Sequence, residues 1–350
     1  MITAQRGETA DYSDILRASA ALAGFAPTDI GTPEFQLLRQ FHDRRLKVAW
    51  EIHHWPQICL IEQRTFRAPF DTTGGTTYAA GAEVLDVPTQ NYFQSLAANN
   101  TQPPTVAGVE NSAYWALCRA SYSAPLWVTG TSYTVGLQVQ NPADQLFYQC
   151  TAAHTAGASL DPTKFAALTP FNRYVSRRQA WMTNAIGDFL AAWDRDPRVT
   201  TKTTKLPFTL SADGAQFTTL AHVTGSVWIY FRSPRPLLNG DVLDLGAVYA
   251  PGRTAYYTST ATGAGNFYVA QTTTTAGDTP DSAPSKWALV AIPYLFRDYL
   301  IQGGYADWLT SDGQADKATT ADGMAMALLE LEADNLQRQQ QQTNRLDWRS

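Results

Sequence analysis

The sequence is poor in the residues that would mark a secreted, disulfide-bonded protein. Its three cysteines, Cys59, Cys118 and Cys150, stand far apart and form no CxxC pair. Each lies among apolar or small neighbours, so we expect buried free thiols. The N-terminus lacks a cationic region followed by an apolar run, and we expect no secretory signal. These features predict a soluble protein made in a reducing compartment.

Long apolar runs and strong charge are also missing. No stretch approaches the ~20 apolar residues that a membrane helix requires, so we expect no membrane contact. Charged residues make up 16% of the chain and the net charge is −5, which argues against a general nucleic-acid binder. The apolar fraction of 44% is enough for packed cores, and 350 residues suggest about two domains.

Motifs of an enzyme are missing as well. There is no G-x-S-x-G elbow, and the glycines at 263–265 and 303–304 do not follow a phosphate-loop pattern. His42 falls near the exposed side of a predicted helix that His53 and His54 close, and no Cys or carboxylate motif supplies the further ligands of a metal site. We therefore expect no enzyme, no metal and no cofactor.

Two charged groups allow a functional and a structural interpretation. Asp194 and Asp196 could act as an acid–base pair, but their place before a proline is more typical of a helix that ends in a turn. Arg173, Arg177 and Arg178 predict a basic face on a middle helix. A solvated face or salt bridges between subunits explain such a face better than nucleic-acid contact.

Helical periodicity recurs at the start, the middle and the end of the chain. We expect helices to begin at about Asp11, Thr32, Asn172, Pro293 and Gln314, with Thr32 as an N-cap. Strand patterns occupy residues 58–66, 207–210, 216–220 and 226–231. The last of these is a bulky run suited to a strand covered on both faces.

The C-terminal segment is read as a polar helix that needs a partner. After a break at Gly303–Gly304, an apolar stripe recurs at steps of three and four residues, at Ala321, Met324, Leu328 and Leu331. Beyond Asn335 the helix is polar all round, and its own core cannot hold it. The residues expected to form an assembly interface are Leu336, Arg338, Gln339, Gln340, Gln341, Gln342, Arg345 and Trp348.

A short pattern repeats three times. Paired aromatics occur in Tyr92–Phe93, Phe147–Tyr148 and Phe267–Tyr268. A glycine and a valine precede each pair, at Gly81 and Val84, Gly136 and Val139, and Gly240 and Val242. A proline-bearing turn and a closing aromatic follow each pair, which predicts a small β module with an aromatic core. The expected core residues are Phe93, Trp115, Tyr148, Phe165, Tyr268 and Trp287.

Together these patterns predict an α+β fold, an α-helical frame interrupted by small β-strand modules. The expected parts are an N-terminal helical part with a strand, module 1, module 2, a middle helix with β-strands, module 3, and C-terminal helices with a docking tail. Their boundaries are 1–68, 69–119, 120–169, 170–236, 237–291 and 292–350.

Two resemblances follow from these residues. The order of glycine, valine, paired aromatics, proline and closing Trp or Phe resembles chitin-binding-type carbohydrate-binding modules, although an obvious row of exposed aromatics is missing. The segments 227–234, 292–296, 306–309 and 312–314, with the long helix that ends in the glutamine run, resemble the head–tail connector (adaptor or neck) proteins of tailed bacteriophages.

The second resemblance implies a virion structural protein in the neck between capsid and tail, made in the host cytoplasm. It implies a homo-oligomeric ring, commonly a dodecamer, that binds the portal protein and tail or neck proteins, with DNA only passing through. The alternative is a carbohydrate-binding accessory or tail-fibre-type protein that uses its three β modules. A glycosidase fragment is disfavoured because paired catalytic carboxylates are missing.

Overall fold

A computed structural model of the chain describes residues 9–26, 30–118, 124–168, 172–200, 202–219 and 225–347. The chain divides into two compact units. Unit 1 comprises Met1–Ile58 and Arg235–Ser350, and unit 2 comprises Cys59–Pro234. Among the described residues, no helix carries an apolar stretch long enough to span a bilayer.

The strands are short and numerous. In chain order they are β1 Thr9–Ala10, β2 Cys59–Thr65, β3 Glu83–Asp86, β4 Asn91–Ser95, β5 Thr105–Val106, β6 Val109–Glu110, β7 Trp115–Leu117, β8 Ser132–Tyr133, β9 Gln138–Gln140, β10 Phe147–Cys150, β11 His154–Thr155, β12 Phe165–Ala167, β13 Tyr174–Ser176, β14 Asp188–Trp193, β15 Phe208–Leu210, β16 Gln216–Thr219, β17 Ser226–Arg232, β18 Thr254–Thr258, β19 Gly265–Ala270, β20 Trp287–Leu289 and β21 Ile292–Pro293. Short 3₁₀ helices lie at Pro284–Lys286 and Tyr294–Phe296.

The expectation of an α-helical frame interrupted by β modules is wrong. Strands make up 27% of the chain and helices 24%, and the strands form many small antiparallel sheets. The α-helices of the described residues all lie in unit 1: α1 Tyr12–Leu22, α2 Thr32–Ile52, α3 Arg297–Ser311 and α4 Ala315–Asp347. Small sheets, and not helices, therefore run through most of the sequence.

The middle helix is the element that the sequence analysis misassigned. Residues 172–194 contain β13 and β14 instead, and β14 pairs with β17 in the antiparallel sheet β14–β17–β2. A short apolar run does not distinguish a buried strand from a helix by periodicity alone. Long-range pairing decides here: Gly187 donates its N–H to the carbonyl of Arg232 at 2.7 Å, and a Cβ at residue 187 would meet that carbonyl at 2.8 Å.

Unit 2 is built on the predicted strands, which appear as β2, β15, β16 and β17. The central strand β17 buries Val227, Ile229 and Phe231 completely, whereas Trp228 and Tyr230 are half-buried. One face of this strand is therefore fully covered, not both as its bulky sequence suggested. The buried core of this sheet also includes Phe66, Leu85, Tyr92, Val175, Ile186, Ala192, Leu206 and Phe217.

The three β modules share one three-stranded antiparallel arrangement. The sheets are β3–β4–β7, β9–β10–β12 and β18–β19–β20, each with the aromatic-pair strand in the middle. The register is the same in all three, because the closing aromatic lies opposite the residue two places after the second aromatic. These pairs are Ser95 with Trp115, Cys150 with Phe165, and Ala270 with Trp287.

Backbone hydrogen bonds repeat between the modules at matching positions. A glycine with positive φ donates its N–H at 2.8 Å to the carbonyl of that same middle-strand residue, in the pairs Gly81 to Ser95, Gly136 to Cys150 and Gly252 to Ala270. The third pair corrects the sequence alignment. The turn glycine of module 3 is Gly252, not Gly240, and Ala255 occupies the place expected for Val242.

A tyrosine that the sequence analysis passed over completes each module. Tyr78, Tyr133 and Tyr249 each accept a backbone N–H on the hydroxyl at 2.8 Å, from Asp71, Val128 and Asp244 respectively. Each ring also packs on the closing aromatic, with centroids 5.3–5.7 Å apart. Each module core therefore rests on a tyrosine and a closing aromatic from opposite ends of the repeat.

Replacement of the closing aromatic tests this core. Trp115 is 1% exposed, packs on Phe70 and Tyr78, and donates its indole N–H to the carbonyl of Gln102 at 2.7 Å. We expect Trp115→Ala to lower the free energy of unfolding by ~3–5 kcal/mol in equilibrium urea denaturation. The adjacent Tyr114, 41% exposed, is the matched control. Tyr114→Ala should cost less than ~1 kcal/mol, and equal losses would contradict the assigned core.

Candidate assembly surfaces

In unit 1, α3 and α4 form an antiparallel hairpin whose contact is made by small side chains. The buried positions of α4 are Ala318, Ala321, Ala325, Leu329 and Ala333. The predicted stripe is therefore wrong beyond Ala321. Met324, Leu328 and Leu331 face solvent, with 56%, 36% and 52% of their surface exposed.

Close packing explains which stripe is buried. The buried positions of α4 and the predicted stripe both follow steps of three and four residues. The predicted stripe is the more hydrophobic of the two, although most of it is exposed. On α3, the residues that pack with Ala318 and Ala321 of α4 are Ala306 and Leu309, with Tyr305 and Trp308 beside them. Alanines allow the shortest distance between helix axes, so the alanine side faces α3 and the bulky side chains turn outward.

The predicted break at Gly303–Gly304 is also wrong, because α3 continues through both residues. Each glycine lies where another helix approaches closely. A Cβ at Gly304 would clash with the ring of His42, and a Cβ at Gly303 would lie 3.0 Å from the side chain of Arg45. These glycines are requirements of packing and not signals that end a helix.

The two helices of the hairpin differ greatly in length. With 15 residues α3 is about 22 Å long, and with 33 residues α4 is about 50 Å long at 1.5 Å per residue. Asp298, in the first turn of α3, lies near Glu332 of α4, and burial together with the charge of Asp298 raises the pKa of Glu332. The part of α4 after Ala333 therefore runs past the end of α3.

The predicted assembly residues other than Trp348 lie in this unaccompanied part. Leu336 is half-buried and Arg338 is exposed. The backbone of Gln339, Gln340, Gln341, Gln342 and Arg345 is helical, but their side chains are not described. Trp348 lies outside the described residues.

The helix α2 is fixed to the hairpin by an ion-pair group centred on the buried carboxylate of Asp307. Arg45 contacts both oxygens of Asp307, with Nε–Oδ2 at 3.1 Å and Nη2–Oδ1 at 2.7 Å, and reaches Asp322 at 2.5 Å. Burial lowers the pKa of Arg45, but the hydrogen bonds to Asp307 and Asp322 outweigh burial and raise it. Arg44 adds a 2.7 Å contact to Asp307 while remaining 63% exposed. The charged group spans α2, α3 and α4, and should hold the three helices as one body.

Next to this charged group, α2 presents a second apolar stripe to solvent. Leu37, Val48 and Ile52 are 38%, 42% and 39% exposed, and Phe41 is half-buried under the guanidinium of Arg44 at 5.7 Å. Beside this stripe lies a groove of about 510 Å³. Its lining combines small or short side chains with the charged group around Asp307. The lining residues are Arg44, Arg45, Val48, Ala306, Asp307, Thr310, Ala315, Ala318, Thr319 and Asp322.

The modules offer little of what a sugar-binding surface needs. The predicted core residues Phe93, Trp115, Phe165 and Trp287 are buried, and Tyr148 and Tyr268 are half-buried. The first aromatic of a pair points away from this core. Tyr92 is buried in the core of unit 2, and Phe267 packs on Tyr12 of α1 at 4.7 Å. Among the described residues of the modules, Tyr114 is the aromatic side chain most open to solvent.

The candidate chemical groups take structural places. Asp196 accepts hydrogen bonds from the side chain and backbone of Arg198, which lower its pKa, and Asp194 accepts a backbone N–H from Thr204. Both lie just after strand β14, and not at the end of a helix as expected. The expected basic face of Arg173, Arg177 and Arg178 consequently has no helix to carry it. Within the described ranges, no group of three or more His, Cys, Asp or Glu could hold a metal ion.

The placement of His42 contradicts the sequence analysis. Its side chain is fully buried, with Nδ1 at 3.1 Å from the hydroxyl of Tyr12 and Nε2 at 2.9 Å from the hydroxyl of Ser19. The buried positions of α2 are Phe35, Leu38, His42, Leu46, Ala49 and Trp50. A helical stripe that allows one polar residue predicts His42 as buried. A stripe of apolar residues alone predicts a neighbouring face of α2 as the buried one.

The burial of His42 makes the stability of unit 1 depend on pH. Burial lowers its pKa from 6.5 to about 3. Below pH 6.5 the unfolded chain therefore binds a proton that the folded chain does not bind until about pH 3. We expect this group to reduce the free energy of unfolding by up to ~1.4 kcal/mol per pH unit across that window, with no effect above it.

Urea denaturation of the chain and of His42→Gln at successive pH values tests this expectation. The variant lacks the titrating ring, so its stability should fall less steeply between pH 6.5 and 5, before most carboxylates begin to titrate. Identical slopes for the two proteins would show that His42 is solvated or already protonated in the folded state.

Comparison with known protein families and with curated protein sequences finds no match for this chain. A function must therefore be argued from the surfaces of the molecule. The most distinctive of these are the exposed stripes of α2 and α4 and the unaccompanied end of α4.

Proposed function

We propose that this chain is a virion structural protein, a head–tail adaptor that forms a ring beneath the portal of a tailed phage and joins capsid to tail. In this role it occupies the neck of the particle, contacts the portal and tail or neck proteins, and lets DNA pass through the ring. One observation carries the proposal: α4 extends well past the helix on which it packs.

The end of α4 is costly for an isolated chain to order. Fixing a backbone residue costs ~1–2 kcal/mol, and residues 334–347 have little apolar surface to offset this. The last buried position of the described part of α4 is Ala333. A partner surface that accepts hydrogen bonds from the glutamines and contacts Arg338 and Arg345 would supply the missing stabilisation.

The rest of unit 1 suits a rigid mounting for this helix. Three helices are tied together by the charged group around Asp307 and by close packing at Gly303 and Gly304. Module 3 is anchored to α1, because the backbone N–H of Tyr12 donates to Asn266 at 2.8 Å and Ser13 accepts the N–H of Gly265 at 3.0 Å. A rigid base allows a docking helix to be presented in one orientation.

The alternative, a carbohydrate-binding accessory or fibre-type protein, draws on the shared module fold. The three modules share one strand order and register, and their sequence pattern resembles that of carbohydrate-binding modules. The places of their aromatic pairs disfavour it, since Tyr92 and Phe267 are used to anchor modules. Passage of the purified chain over chitin and bacterial polysaccharide separates the two functions, because only a sugar-binding protein would be retained.

Removal of residues 336–350 tests the docking role of α4. We expect the isolated truncated chain to remain folded, with a nearly unchanged melting temperature, because the buried alanine face ends at Ala333. We expect incorporation into phage particles to be lost. The measurements are thermal unfolding by circular dichroism and quantification of the chain in purified particles.

A companion variant separates side-chain recognition from helix length. Replacement of Gln339, Gln340, Gln341 and Gln342 with alanine preserves helix propensity and removes the side-chain amides. We expect this variant to fold normally and to be incorporated less well than the wild-type chain. A truncated chain that unfolds alone but enters particles normally would place the end of α4 in the protein's own core instead.

A further inference from the structure

One edge of the main sheet of unit 2 is open. In the sheet β14–β17–β2, β2 is an edge strand of seven residues, and it pairs with β17 along its whole length without a bulge. Its sequence, CLIEQRT, contains no proline. Proline and bulges are two common features that stop a further strand from pairing with an edge. The outer edge of β2 therefore keeps the geometry that another strand needs.

The hydrogen bonds of the sheet show which backbone groups lie on that edge. Gly187 donates its N–H to the carbonyl of Arg232 at 2.7 Å, so the backbone polar groups of Arg232 face β14. Cys59 lies opposite Arg232 in the register of β17 and β2, so its own N–H and C=O point away from β17. The residues that share this outward direction, at every second position, are Ile61, Gln63 and Thr65.

Two of these outward residues have no partner. Thr65 is covered, since its carbonyl accepts a side-chain N–H of Gln179 at 2.8 Å. Within the described ranges, the outward backbone groups of Ile61 and Gln63 make no hydrogen bond. The other edge of the sheet is covered, because β14 has a bulge and receives a backbone N–H from Leu206 at 2.9 Å. Of the two edges of this sheet, the one along β2 is the open one.

A groove of about 700 Å³ follows the open edge. The five consecutive residues 59–63 line it, so it touches side chains from both faces of β2. One wall contains Trp228, which lies opposite Gln63 in the register. The other wall is formed by residues 182–184, where the side chain of Asn184 donates to Glu62. The groove therefore has the place and the direction of a fourth strand.

The second wall is fixed to β2 within the chain itself. The buried guanidinium of Arg64 donates to the carbonyl of Asn184 and to Oε2 of Glu62, both at 2.7 Å. The indole N–H of Trp181 donates to Oγ1 of Thr65 at 3.0 Å. A groove whose wall is already held in place lowers the ordering cost of binding.

The charges that line the groove are paired within unit 2. Glu62 pairs with Arg64 at 2.7 Å. Arg198 pairs with Asp196 at 3.0 Å, and its guanidinium lies 5.3 Å from the ring centroid of Trp228. Among the described lining residues, no charge is left for an incoming side chain of opposite sign. The groove therefore selects an occupant by its backbone and shape, and not by its charge.

We propose that the edge of β2 binds an extended, uncharged segment of about five residues from a partner protein, which adds to the sheet as a fourth strand. An extended backbone presents N–H and C=O groups at the two-residue spacing of Ile61 and Gln63, and strand addition is a common way to bind peptides. Five residues span ~17 Å. Side chains of the segment on the Trp228 side should be apolar, because cross-strand neighbours stabilise a sheet by packing. This contact goes beyond the adaptor role, since it lies in unit 2 and does not involve α4.

A second copy of this chain is the less suitable occupant. Its own β2 carries the same walls, at Trp228 and at residues 182–184. Two sets of walls would have to fit beside one pair of strands. A single extended segment, such as a terminus or a loop of a partner, has no such walls.

Replacement of Ile61 in the full-length chain tests the contact. Ile61→Pro removes the outward N–H, and an edge strand tolerates proline where its N–H faces outward. Ile61→Val keeps the N–H and a branched apolar side chain, and is the matched control. Leu60→Pro removes an N–H that faces β17 and should be much less stable than Ile61→Pro. Circular dichroism and urea denaturation measure the fold and stability of each variant.

The probe is a heptapeptide selected from a random library on the wild-type chain, with counter-selection on Ile61→Pro. Binding of the labelled peptide is followed by fluorescence anisotropy at protein concentrations up to ~100 μM. We expect Ile61→Pro to weaken binding about tenfold or more, and Ile61→Val to bind within about twofold of the wild-type chain. Methylation of single backbone nitrogens of the peptide should weaken binding at every second position, because alternate N–H groups of an added strand face β2.

Several results would overturn the proposal. A selection that enriches no peptide, or a peptide that binds Ile61→Pro and the wild-type chain equally, would show that this edge is not a docking site. Effects of methylation without a two-residue period would indicate docking by side chains alone. Wild-type dimers in sedimentation velocity that are lost in Ile61→Pro would make a second copy the occupant. Leu60→Pro as stable as Ile61→Pro would contradict the assigned direction of the backbone groups. The adaptor role fails separately, if the chain is absent from the neck of purified particles.

Discussion

Close packing of small residues in unit 1 determines how its helices meet and what they leave exposed. Gly303 and Gly304 let α2 approach α3 closely enough to bury His42 and to hold Arg45 against Asp307. The alanines of α4 complete the same arrangement on the other side of α3. Because the smallest side chains are used inside, larger ones such as Met324 and Leu331 are left outside. The exposed stripes are thus a consequence of the packing, and they are the part of unit 1 that calls for a partner.

The β modules use both aromatic residues of a pair for structural contacts. Alternation along the middle strand sends the two aromatics of a pair to opposite faces. Phe93 joins the core of its own module, whereas Tyr92 is buried in the sheet core of unit 2 and accepts the backbone N–H of Phe66 at 3.0 Å. In module 3, Phe267 similarly packs on Tyr12. A module that uses its aromatics for a core and an anchor retains few for a sugar, which favours a structural role.

The sequence predicted elements whose signals are local. The start of α2 was found from Thr32 and Pro33, although Gly31 is the N-cap, and the bulky strand β17 was found from its composition. The repeat was found because its aromatic pairs and closing aromatics lie at similar spacings. The signals for these features come from residues close together in the chain.

The errors have long-range causes. Residues 172–194 carry a helical pattern, but pairing with β17 makes part of them a strand. The stripe of α4 was assigned by hydrophobicity, whereas the shape of α3 selects alanine over leucine. His42 was assigned to the exposed side because its partners, Tyr12 and Ser19, lie 30 and 23 residues away. The candidate surfaces could be predicted only in part, since exposure depends on which helix packs against which.

The proposed adaptor role requires that a partner, and not the chain itself, orders the end of α4. Hydrogen–deuterium exchange, compared between the isolated chain and purified particles that contain it, measures this directly. We expect the amides of residues 318–333 to be protected in both samples, and those of residues 334–347 to exchange rapidly in the isolated chain but slowly in the particle. Equal protection of residues 334–347 in the two samples would contradict the account.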